Sequence, residues 1–262
     1  MLLWLCMAIK FICFSHRGTG KAHNEDAVLL DGHVHQGRVR EHGAVDASLP
    51  RYFAVADGVA IGTRPRTASR RLLELLQTRL ATAPANASLS ALLHQVQQDY
   101  VALSANAELV GMASTLVGVR LIGNAVTIFN VGNSRAYLLT GGAEGGQAQL
   151  LSRDHSLLNA MLVAGEISPE QAGNAASILH GLTCQFIADA EFDEFNVNII
   201  THELQLGERL LLCSDGLNEV LSDAEIAALL VGHSDEDLLN ACKASRRVGG
   251  TDDFSVIVLA LQ

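Results

Sequence analysis

Three short segments rich in β-branched residues, separated by glycine-asparagine pairs, constrain the fold of this chain most strongly. The segments cover residues 114–121, 125–131 and 135–140, and the pairs between them are Gly123-Asn124 and Gly132-Asn133. Valine, isoleucine and threonine favour strands, and such pairs suit tight hairpin turns. The sequence therefore predicts an antiparallel meander in the middle of the chain.

Two long stretches with apolar residues at helical spacing precede this meander. The apolar positions are Leu72, Leu73, Leu76 and Leu80 in the first, which starts near Thr67, and Leu89, Leu92, Leu93, Val96 and Val101 in the second. This spacing gives each helix one apolar face. Because burying a leucine contributes about 1.5–3 kcal/mol, we expect both faces to pack on a sheet.

The remaining pattern alternates blocks of strands with pairs of helices. Strands are predicted at 26–32, 51–56, 192–202, 209–214 and 254–261, helices at 157–165, 169–176, 223–230 and 235–246, and a hairpin loop at 141–146. Such blocks indicate an α+β fold in which helices cover antiparallel sheets. No linker or repeat interrupts residues 1–262, so we expect a single domain.

Charge and cysteine content exclude several classes of protein. The net charge of −10 argues against a nucleic acid or an anionic membrane as partner, because like charges repel. The five cysteines are scattered without CxxC spacing, which predicts reduced, structural thiols rather than disulfides or a zinc ribbon. We expect a cytoplasmic monomer.

The first fourteen residues, Met1 to Phe14, are apolar apart from Lys10. The stretch is too short to span a bilayer, and it lacks the basic start and the cleavage site of a signal peptide. We therefore expect a first buried strand. Residues from 1 to about 8 are expected to be disordered; alternatively, the true start is Met7, and residues 1–6 form a poorly ordered extension.

Acidic residues stand beside glycine or at predicted strand ends in four places. These are Asn24-Glu25-Asp26, Asp57-Gly58, Ser214-Asp215-Gly216 and Gly249-Gly250-Thr251-Asp252-Asp253. Glycine lets the backbone approach a ligand closely, and hard divalent cations prefer carboxylate oxygens. One Asp-Gly pair is more often only a turn. Four such places together indicate a metal site, since clustered carboxylates repel one another without a cation.

Five motifs follow one another along the chain: His23-Asn24-Glu25-Asp26, Val55-Ala56-Asp57-Gly58, Val131-Gly132-Asn133-Ser134-Arg135, Leu212-Cys213-Ser214-Asp215-Gly216 and Gly250-Thr251-Asp252-Asp253. In this order they resemble the metal-dependent serine/threonine protein phosphatases of the PPM, or type 2C, family, especially short bacterial members that consist of the catalytic domain alone. The resemblance spans nearly the whole chain. It implies an antiparallel β-sandwich flanked by helix pairs, in α-β-β-α layers, with a binuclear metal site at one end. Residues from about 155 to 180 resemble the flap region of the family.

The resemblance assigns the metal ligands one by one. Asp57 matches the aspartate that bridges two Mn²⁺ or Mg²⁺ ions, and Gly58 matches the glycine whose carbonyl binds one of them. Asp215 and Asp252 match further carboxylate ligands. The implied reaction is hydrolysis of phosphoserine or phosphothreonine on proteins by a metal-activated water.

Three further residues, Lys21, Glu25 and Asp26, are the candidate catalytic residues. Glu25 and Asp26 match acids that hold metal-bound waters in the family, and Lys21 stands where an arginine grips the substrate phosphate. Lysine keeps the charge but lacks the bidentate fork of arginine. Either Arg17 replaces that fork, or Lys21 is only a solvated loop residue.

Other positions depart from the family pattern. Asn133 replaces an aspartate associated with a third metal ion, so we expect that site to be weak or absent. Asp253 stands where asparagine is usual and is expected to alter the charge beside Asp252. Arg64 and Arg66, after the Asp57-Gly58 pair, either face an acidic phosphopeptide or are simply solvated.

Competing functions have weaker signals. Gly18-Thr19-Gly20-Lys21 lacks the spacing of a nucleotide-binding loop, the histidines at 33, 35 and 42 are expected in a solvated hairpin loop, and no GxSxG motif occurs. Two rivals stay open: a pseudophosphatase that binds a partner without turnover, motivated by Lys21 and Asn133, and a small-molecule phosphatase on the same fold. The resemblance also implies a phosphoprotein substrate, an opposing serine/threonine kinase and, in type VI secretion loci, a forkhead-associated protein.

Overall fold

A computed structural model describes residues 8–141, 147–172, 176–192, 195–229 and 235–262. Its strands are β1 (Ala8–His16), β2 (Asp26–Leu30), β3 (His33–Gln36), β4 (Val39–Asp46), β5 (Arg51–Asp57), β6 (Ala113–Ser114), β7 (Leu116–Ile122), β8 (Ala125–Val131), β9 (Arg135–Thr140), β10 (Gln147–Leu150), β11 (Phe186–Ile187), β12 (Asn198–Glu203), β13 (Glu208–Cys213) and β14 (Phe254–Leu261). Its α-helices are α1 (Pro65–Thr82), α2 (Leu89–Ala102), α3 (Leu157–Ala164), α4 (Pro169–Ala172), α5 (Asp215–Asn218), α6 (Asp223–Leu229) and α7 (Asp235–Arg247).

Two six-stranded antiparallel sheets form the centre of the molecule. The first sheet has the order β10-β9-β13-β14-β1-β4, and the second has the order β12-β8-β7-β5-β2-β3. A buried cluster that includes Val28, Phe53, Val119, Leu212 and Ile257 fills the space between them. This packing confirms the predicted β-sandwich.

Helices cover the outer face of each sheet. The leucine faces of α1 and α2 pack on the second sheet, where Leu72, Leu76 and Leu93 are fully buried. The apolar sides of α5, α6 and α7 pack on the first sheet around Leu211 and Val256. The layers are therefore α-β-β-α, as predicted.

Several boundaries match the prediction, and two parts of it were wrong. Strands β8, β9 and β14 begin and end where the sequence placed them. Within the described part of the predicted strand 192–202, which leaves out residues 193–194, the strand begins at Asn198, because pairing with β8 starts there. The histidines at 33, 35 and 42 lie in β3 and β4 rather than in a loop, since both segments pair with neighbouring strands.

Some predictions fall partly outside the described residues. These concern residues 1–7, most of the glycine-rich loop at 141–146, and the end of the helix expected at 169–176. Four cysteines, Cys13, Cys184, Cys213 and Cys242, are buried, which fits their predicted structural role. Among the described helices, none combines the length and apolar character needed to cross a membrane.

Candidate active site

Two aspartates of the second sheet are direct partners across an antiparallel pair of strands. Asp26 is the first residue of β2, Asp57 is the last residue of β5, and the register places them opposite each other. Side chains of directly opposed residues project from the same face of a sheet. The Asp57 carbonyl accepts hydrogen bonds from Ser114 Oγ and Thr115 N, both at 2.9 Å, which fixes the end of β5.

The first sheet brings its acidic residues to the same end of the sandwich. Strand β13 ends directly before Ser214 and Asp215, and the antiparallel strand β14 begins directly after Asp253. Ser214 joins the two sheets, because its Oγ donates to Asp26 Oδ2 at 2.8 Å. We call Asp26, Asp57, Asp215 and Asp252 the carboxylate cluster.

The glycines of the cluster are required by packing within the protein. A Cβ atom on Gly58 would lie 2.0 Å from the Pro65 carbonyl oxygen, and one on Gly216 would lie 1.9 Å from that of Asp253. The close approach seen at both positions is to the backbone that carries neighbouring parts of the site. The close approach to a ligand that the sequence suggested stays a prediction.

Burial and mutual repulsion both raise pKa values in the carboxylate cluster, and burial has the larger effect. Burial, together with the charges of Asp215, Asp26 and Asp252, raises the pKa of Asp57 well above its ordinary value. Burial and the charges of Asp253 and Asp215 raise the pKa of Asp26 to about 7. Burial and Asp252 also raise the pKa of Asp215. A divalent cation would relieve this repulsion.

Other observations bear on how well the cluster fits metal ions. Asp26 Oδ1 is buried and has no hydrogen-bond partner among the described residues, as expected of an atom reserved for a ligand or its water. Within the same residues, no three His, Cys, Asp or Glu side chains are already grouped tightly enough to hold one ion. The donor set fits hard cations, and its side chains have to converge further to bind them.

Lys21 supplies positive charge to this end of the sandwich. Its ammonium forms an ion pair with Glu25 at 2.8 Å, a closer one with Asp252, and a longer one with Asp253 at 3.3 Å. Lys21 is thus bound to the acidic residues rather than solvated in a loop. Arg17 does not replace it, because its guanidinium donates to the Lys21 carbonyl and does not line the adjacent cavity.

Asp253 holds the loop that carries Lys21. It is 1% exposed, and its two carboxylate oxygens accept hydrogen bonds from the backbone N–H groups of Gly18 and Glu25, each at 2.7 Å. This carboxylate therefore ties both ends of the loop between β1 and β2 to the start of β14. Its role is positional, beyond the change of charge that the sequence suggested.

The motif around Asn133 contacts two regions. Asn133 contacts the carboxylate cluster, and its neighbours in the motif contact Asp154 and His155, where the flap region begins. Asn133 Nδ2 donates to Asp215 Oδ2 at 3.1 Å, so the amide takes a place beside a candidate ligand. Arg135 instead forms a bidentate ion pair with Asp154, in which its Nη2 lies 2.7 Å from Oδ2. Gly132 N donates to His155 Nδ1 at 3.2 Å.

A cavity of about 530 Å³ opens beside the carboxylate cluster. Its lining includes Lys21, Asp57, Gly58, Asn133, His180, Gln185, Asp215, Glu219 and Asp252. Glu25 and Asp26 are not part of this lining and lie behind it. A second cavity of about 650 Å³ shares Asn133, His180 and Glu219 with the first and extends towards α3.

Glu219 and His180 are cavity residues that the sequence interpretation missed. Glu219 follows Asp215 by one helical turn because residues 215–218 form α5, and its N–H donates to the Asp215 carbonyl at 2.9 Å. Burial and the charges of Asp215 and Asp252 raise the pKa of Glu219 to about 7. The i, i+4 spacing was a visible signal, but the sequence analysis predicted no helix directly after the strand that ends at Ser214. Nothing local marks His180.

Arg64 and Arg66 do not line the cavity of about 530 Å³ beside the carboxylate cluster. Arg64 forms an ion pair with Glu108 at 2.7 Å, and Arg66 Nε donates to Gln36 Oε1 at 3.3 Å. Both residues are exposed and lie at the start of α1, on the side of the molecule that carries β3.

Known proteins resemble this chain in sequence and in structure. The Listeria innocua "Serine/threonine phosphatase stp" is 31% identical over 86% of this chain and 92% of its own length. The Mycobacterium tuberculosis "Serine/threonine protein phosphatase PstP" is 27% identical over 96% of this chain. This chain spans only 45% of the length of PstP.

Solved structures agree with these relatives. A crystal structure of the M. tuberculosis PstP superposes with a TM-score of 0.77 at 26% identity, covering 97% of this chain and 99% of the other. A structure of the PstP catalytic domain in complex with two manganese ions gives a TM-score of 0.74 at 26% identity, with the same coverage.

The family model described as "Protein phosphatase 2C" matches residues 29–243. That range runs from β2 into α7 and holds Asp57 and Asp215 together with the strands and helices that position them. Since the match covers well over half of the sequence, the chain belongs to the protein phosphatase 2C family.

Proposed function

We propose that this chain hydrolyses phosphoserine and phosphothreonine on proteins with the help of two Mn²⁺ or Mg²⁺ ions. The observation that carries the proposal is the carboxylate cluster, in which buried Asp26 and Asp57 of the second sheet and the more exposed Asp215 and Asp252 next to the first sheet repel one another beside an open cavity. Repulsion of this kind lowers stability, and binding of a divalent cation compensates for it. The names of the relatives support the same reaction.

The ligand assignment follows from the elements that carry each donor. Asp57 and Gly58 at the end of β5, together with Asp215 and Asp252 from the first sheet, would hold the two ions. Bound ions of this kind activate a water molecule and offset charge on the phosphoryl oxygens. The weak third site expected from Asn133 remains a prediction.

The residues behind the ligands have distinct tasks in this proposal. Asp26 has one oxygen held by Ser214 and another without a partner among the described residues, and it orients water at the cluster. Glu25 does the same from the loop and also holds Lys21 in place. Lys21 lines the cavity and attracts the substrate phosphate as a point charge.

Two alternatives remain distinguishable from this proposal. A pseudophosphatase would not need to keep Asp57, Asp215 and Asp252 together, so the cluster favours an enzyme. A small-molecule phosphatase would use the same cluster and would differ only in substrate. An opposing kinase, a forkhead-associated partner, a type VI secretion context, a monomeric state and a cytoplasmic location all stay predictions.

Hydrolysis assays test the proposal directly. We expect Mn²⁺-dependent turnover of p-nitrophenyl phosphate and of a phosphothreonine peptide, and a loss of about 10³-fold in Asp57→Asn, because metal ligation contributes several kcal/mol to transition-state stabilisation. Glu203→Gln, which neutralises an exposed carboxylate at the end of β12, is the matched control and should keep full activity.

The outcomes separate the three hypotheses. Absence of turnover on every substrate, with Mn²⁺ bound, would support the pseudophosphatase. Turnover of phosphorylated metabolites without turnover of phosphopeptides would support the small-molecule phosphatase. Equal loss of activity in Asp57→Asn and Glu203→Gln would contradict the assigned site.

A further inference from the structure

A run of basic residues lies outside the site described above. Between Asp57 and Glu74 the chain has four arginines and no acidic residue, although its net charge is −10. Three of these arginines, Arg66, Arg70 and Arg71, line a cleft of about 230 Å³ between β3 and α1. We call the cleft formed by Gln36, Arg66, Thr67, Arg70, Arg71 and Glu74 the arginine cleft.

The arginine cleft has more positive charge than its own acidic residue neutralises. Arg70 Nε and Arg71 Nη1 both pair with the single carboxylate of Glu74, at 2.8 and 2.9 Å. Arg66 donates to the neutral side chain of Gln36. Three guanidinium groups and one carboxylate leave a net charge of +2. On the same helix, Arg79 forms a one-to-one bidentate pair with Asp99, so the charge of Arg79 is balanced. The excess of positive charge on this helix therefore lies in the arginine cleft.

One side of the arginine cleft is held in place by hydrogen bonds, and the guanidinium N–H donors of the cleft are accessible to solvent. Gln36 Nε2 donates to the Arg66 carbonyl at 2.7 Å and to Ser69 Oγ at 3.3 Å, which ties β3 to the first turn of α1. The side chains of Arg70 and Arg71 are 60% and 56% exposed. A guanidinium offers five N–H donors and matches phosphate or carboxylate in a bidentate manner. Most of these donors are available to an external anion.

The position of the cleft relates it to the carboxylate cluster. Gln36 pairs with Ala27, the residue after Asp26, and Ser69 Oγ donates to the Glu25 carbonyl. Since neighbouring strands lie about 4.8 Å apart, the cleft begins about 10–15 Å from the cluster. An extended peptide advances about 3.3 Å per residue, so three to five residues cover that distance.

We propose that the arginine cleft binds an anionic side chain of the protein substrate, three to five residues away from the phosphorylated residue that is hydrolysed. The anion is a phosphate or a carboxylate, and both have the chemistry that a guanidinium pair recognises. This inference rests on the proposed phosphatase activity and adds a substrate preference to it. Because the anion makes the same contact in the bound substrate and in the transition state, the contact lowers KM and leaves kcat unchanged.

Peptide substrates test the inference on the full chain with Mn²⁺. The peptides carry one phosphothreonine and, four residues before or after it, either phosphoserine, glutamate or their neutral counterparts serine and glutamine. We expect a KM about 5-fold lower for the better-placed anionic peptide, as suits exposed ion pairs. The preference should disappear in the double variant R70Q/R71Q. The control K243Q/R247Q, which removes the same charge from α7, should retain it.

The results separate this inference from the proposed function. Turnover of p-nitrophenyl phosphate by R70Q/R71Q at the wild-type rate shows that the catalytic end is intact. A larger gain with phosphoserine than with glutamate identifies a second phosphate as the anion, and an equal gain identifies any acidic group. Absence of a preference in the wild type, or its survival in R70Q/R71Q, overturns the inference. If no peptide is turned over, binding of the same peptides to Asp57→Asn, measured by fluorescence anisotropy, tests the cleft alone.

Discussion

Two polar regions at the same end of the sandwich differ in how their charges are arranged. In the carboxylate cluster, buried aspartates raise one another's pKa values and one oxygen of Asp26 has no partner among the described residues. In the neighbouring region, which we call the flap anchor, opposite charges are paired and hydrogen bonds are reciprocal. The flap anchor consists of Asn130, Gly132, Arg135, Arg153, Asp154, His155 and Asn159.

The contacts of the flap anchor show what a region built for stability contains. Arg135 makes three contacts of 2.7 to 3.1 Å with Asp154. Asn130 and Arg153 exchange two hydrogen bonds, and so do Gly132 and His155. Polar groups that have hydrogen-bond partners fix a loop in place, whereas carboxylates that repel one another are stabilised when a cation binds. Each of the following predictions changes one of the two regions or the loop between β1 and β2.

The largest effect on stability is expected in the flap anchor. Arg135→Met leaves the carboxylate of Asp154 largely buried without its partner and should lower the free energy of unfolding by about 3 kcal/mol. Urea denaturation measures this change. In the double variant with Asp154→Asn the losses should be less than additive, because both substitutions remove one interaction. Additive losses would mean that the two side chains act independently.

A substitution in the carboxylate cluster should raise the stability of the metal-free protein rather than lower it. Asp57→Asn removes one repelling charge, so thermal unfolding in EDTA should occur at a higher temperature than in the wild type. Mn²⁺ at 100 times its Kd should add about 2.7 kcal/mol of stability to the wild type and much less to the variant. A metal-free variant less stable than the wild type would show that Asp57 stabilises the fold by itself.

The loop between β1 and β2 shares a feature with each region. It is held by Asp253, which is acidic like the residues of the carboxylate cluster, but both carboxylate oxygens of Asp253 accept hydrogen bonds, as the polar groups of the flap anchor do. Asp253→Asn keeps only one acceptor for the N–H groups of Gly18 and Glu25, and should cost about 1–2 kcal/mol of stability. Because this loop carries Lys21, KM for a phosphopeptide should rise more than kcat falls. A fall in kcat with unchanged KM would place Asp253 in the chemical step.

The smallest expected effect is a pH dependence of the flap anchor. Burial, with the charge of Arg153, lowers the pKa of His155 below its ordinary value of 6.5. The unfolded chain therefore binds the proton more readily, so this contribution to stability is complete above about pH 6.5 and is lost as the pH falls towards the folded-state pKa. The difference in urea midpoint between the wild type and His155→Gln should shrink from pH 7.5 to pH 5.5. A constant difference would show that His155 does not titrate in this window.

Local sequence patterns were sufficient for most of the framework. Alternating β-branched residues bounded by turn pairs located β8 and β9, and leucine spacing located α1 and α2. The acidic residues beside glycine located the carboxylate cluster, because strand ends that meet at one edge of a sandwich have a clear signature. These features depend on residues that are close in sequence.

Features that depend on distant partners were not visible in the sequence. Phe195 and Val197 have the composition of a strand but pack beside the helices, and pairing with β8 begins only at Asn198. The role of Asp253 depends on backbone groups more than 220 residues earlier in the chain. The ion pairs of Lys21 likewise depend on how the loop folds over β14.

The order of strands in the first sheet has a consequence for biosynthesis. Strand β14, the last in the sequence, lies between β13 and β1, the first described strand. While a ribosome is still adding residues before Phe254, β1 lacks one neighbour, and the loop that carries Lys21 lacks the carboxylate that holds it. Contacts that span almost the whole chain form slowly. A nascent or prematurely terminated chain therefore cannot assemble the end of the sandwich that carries the carboxylate cluster, and the proposed hydrolysis would be confined to molecules whose synthesis has passed β14.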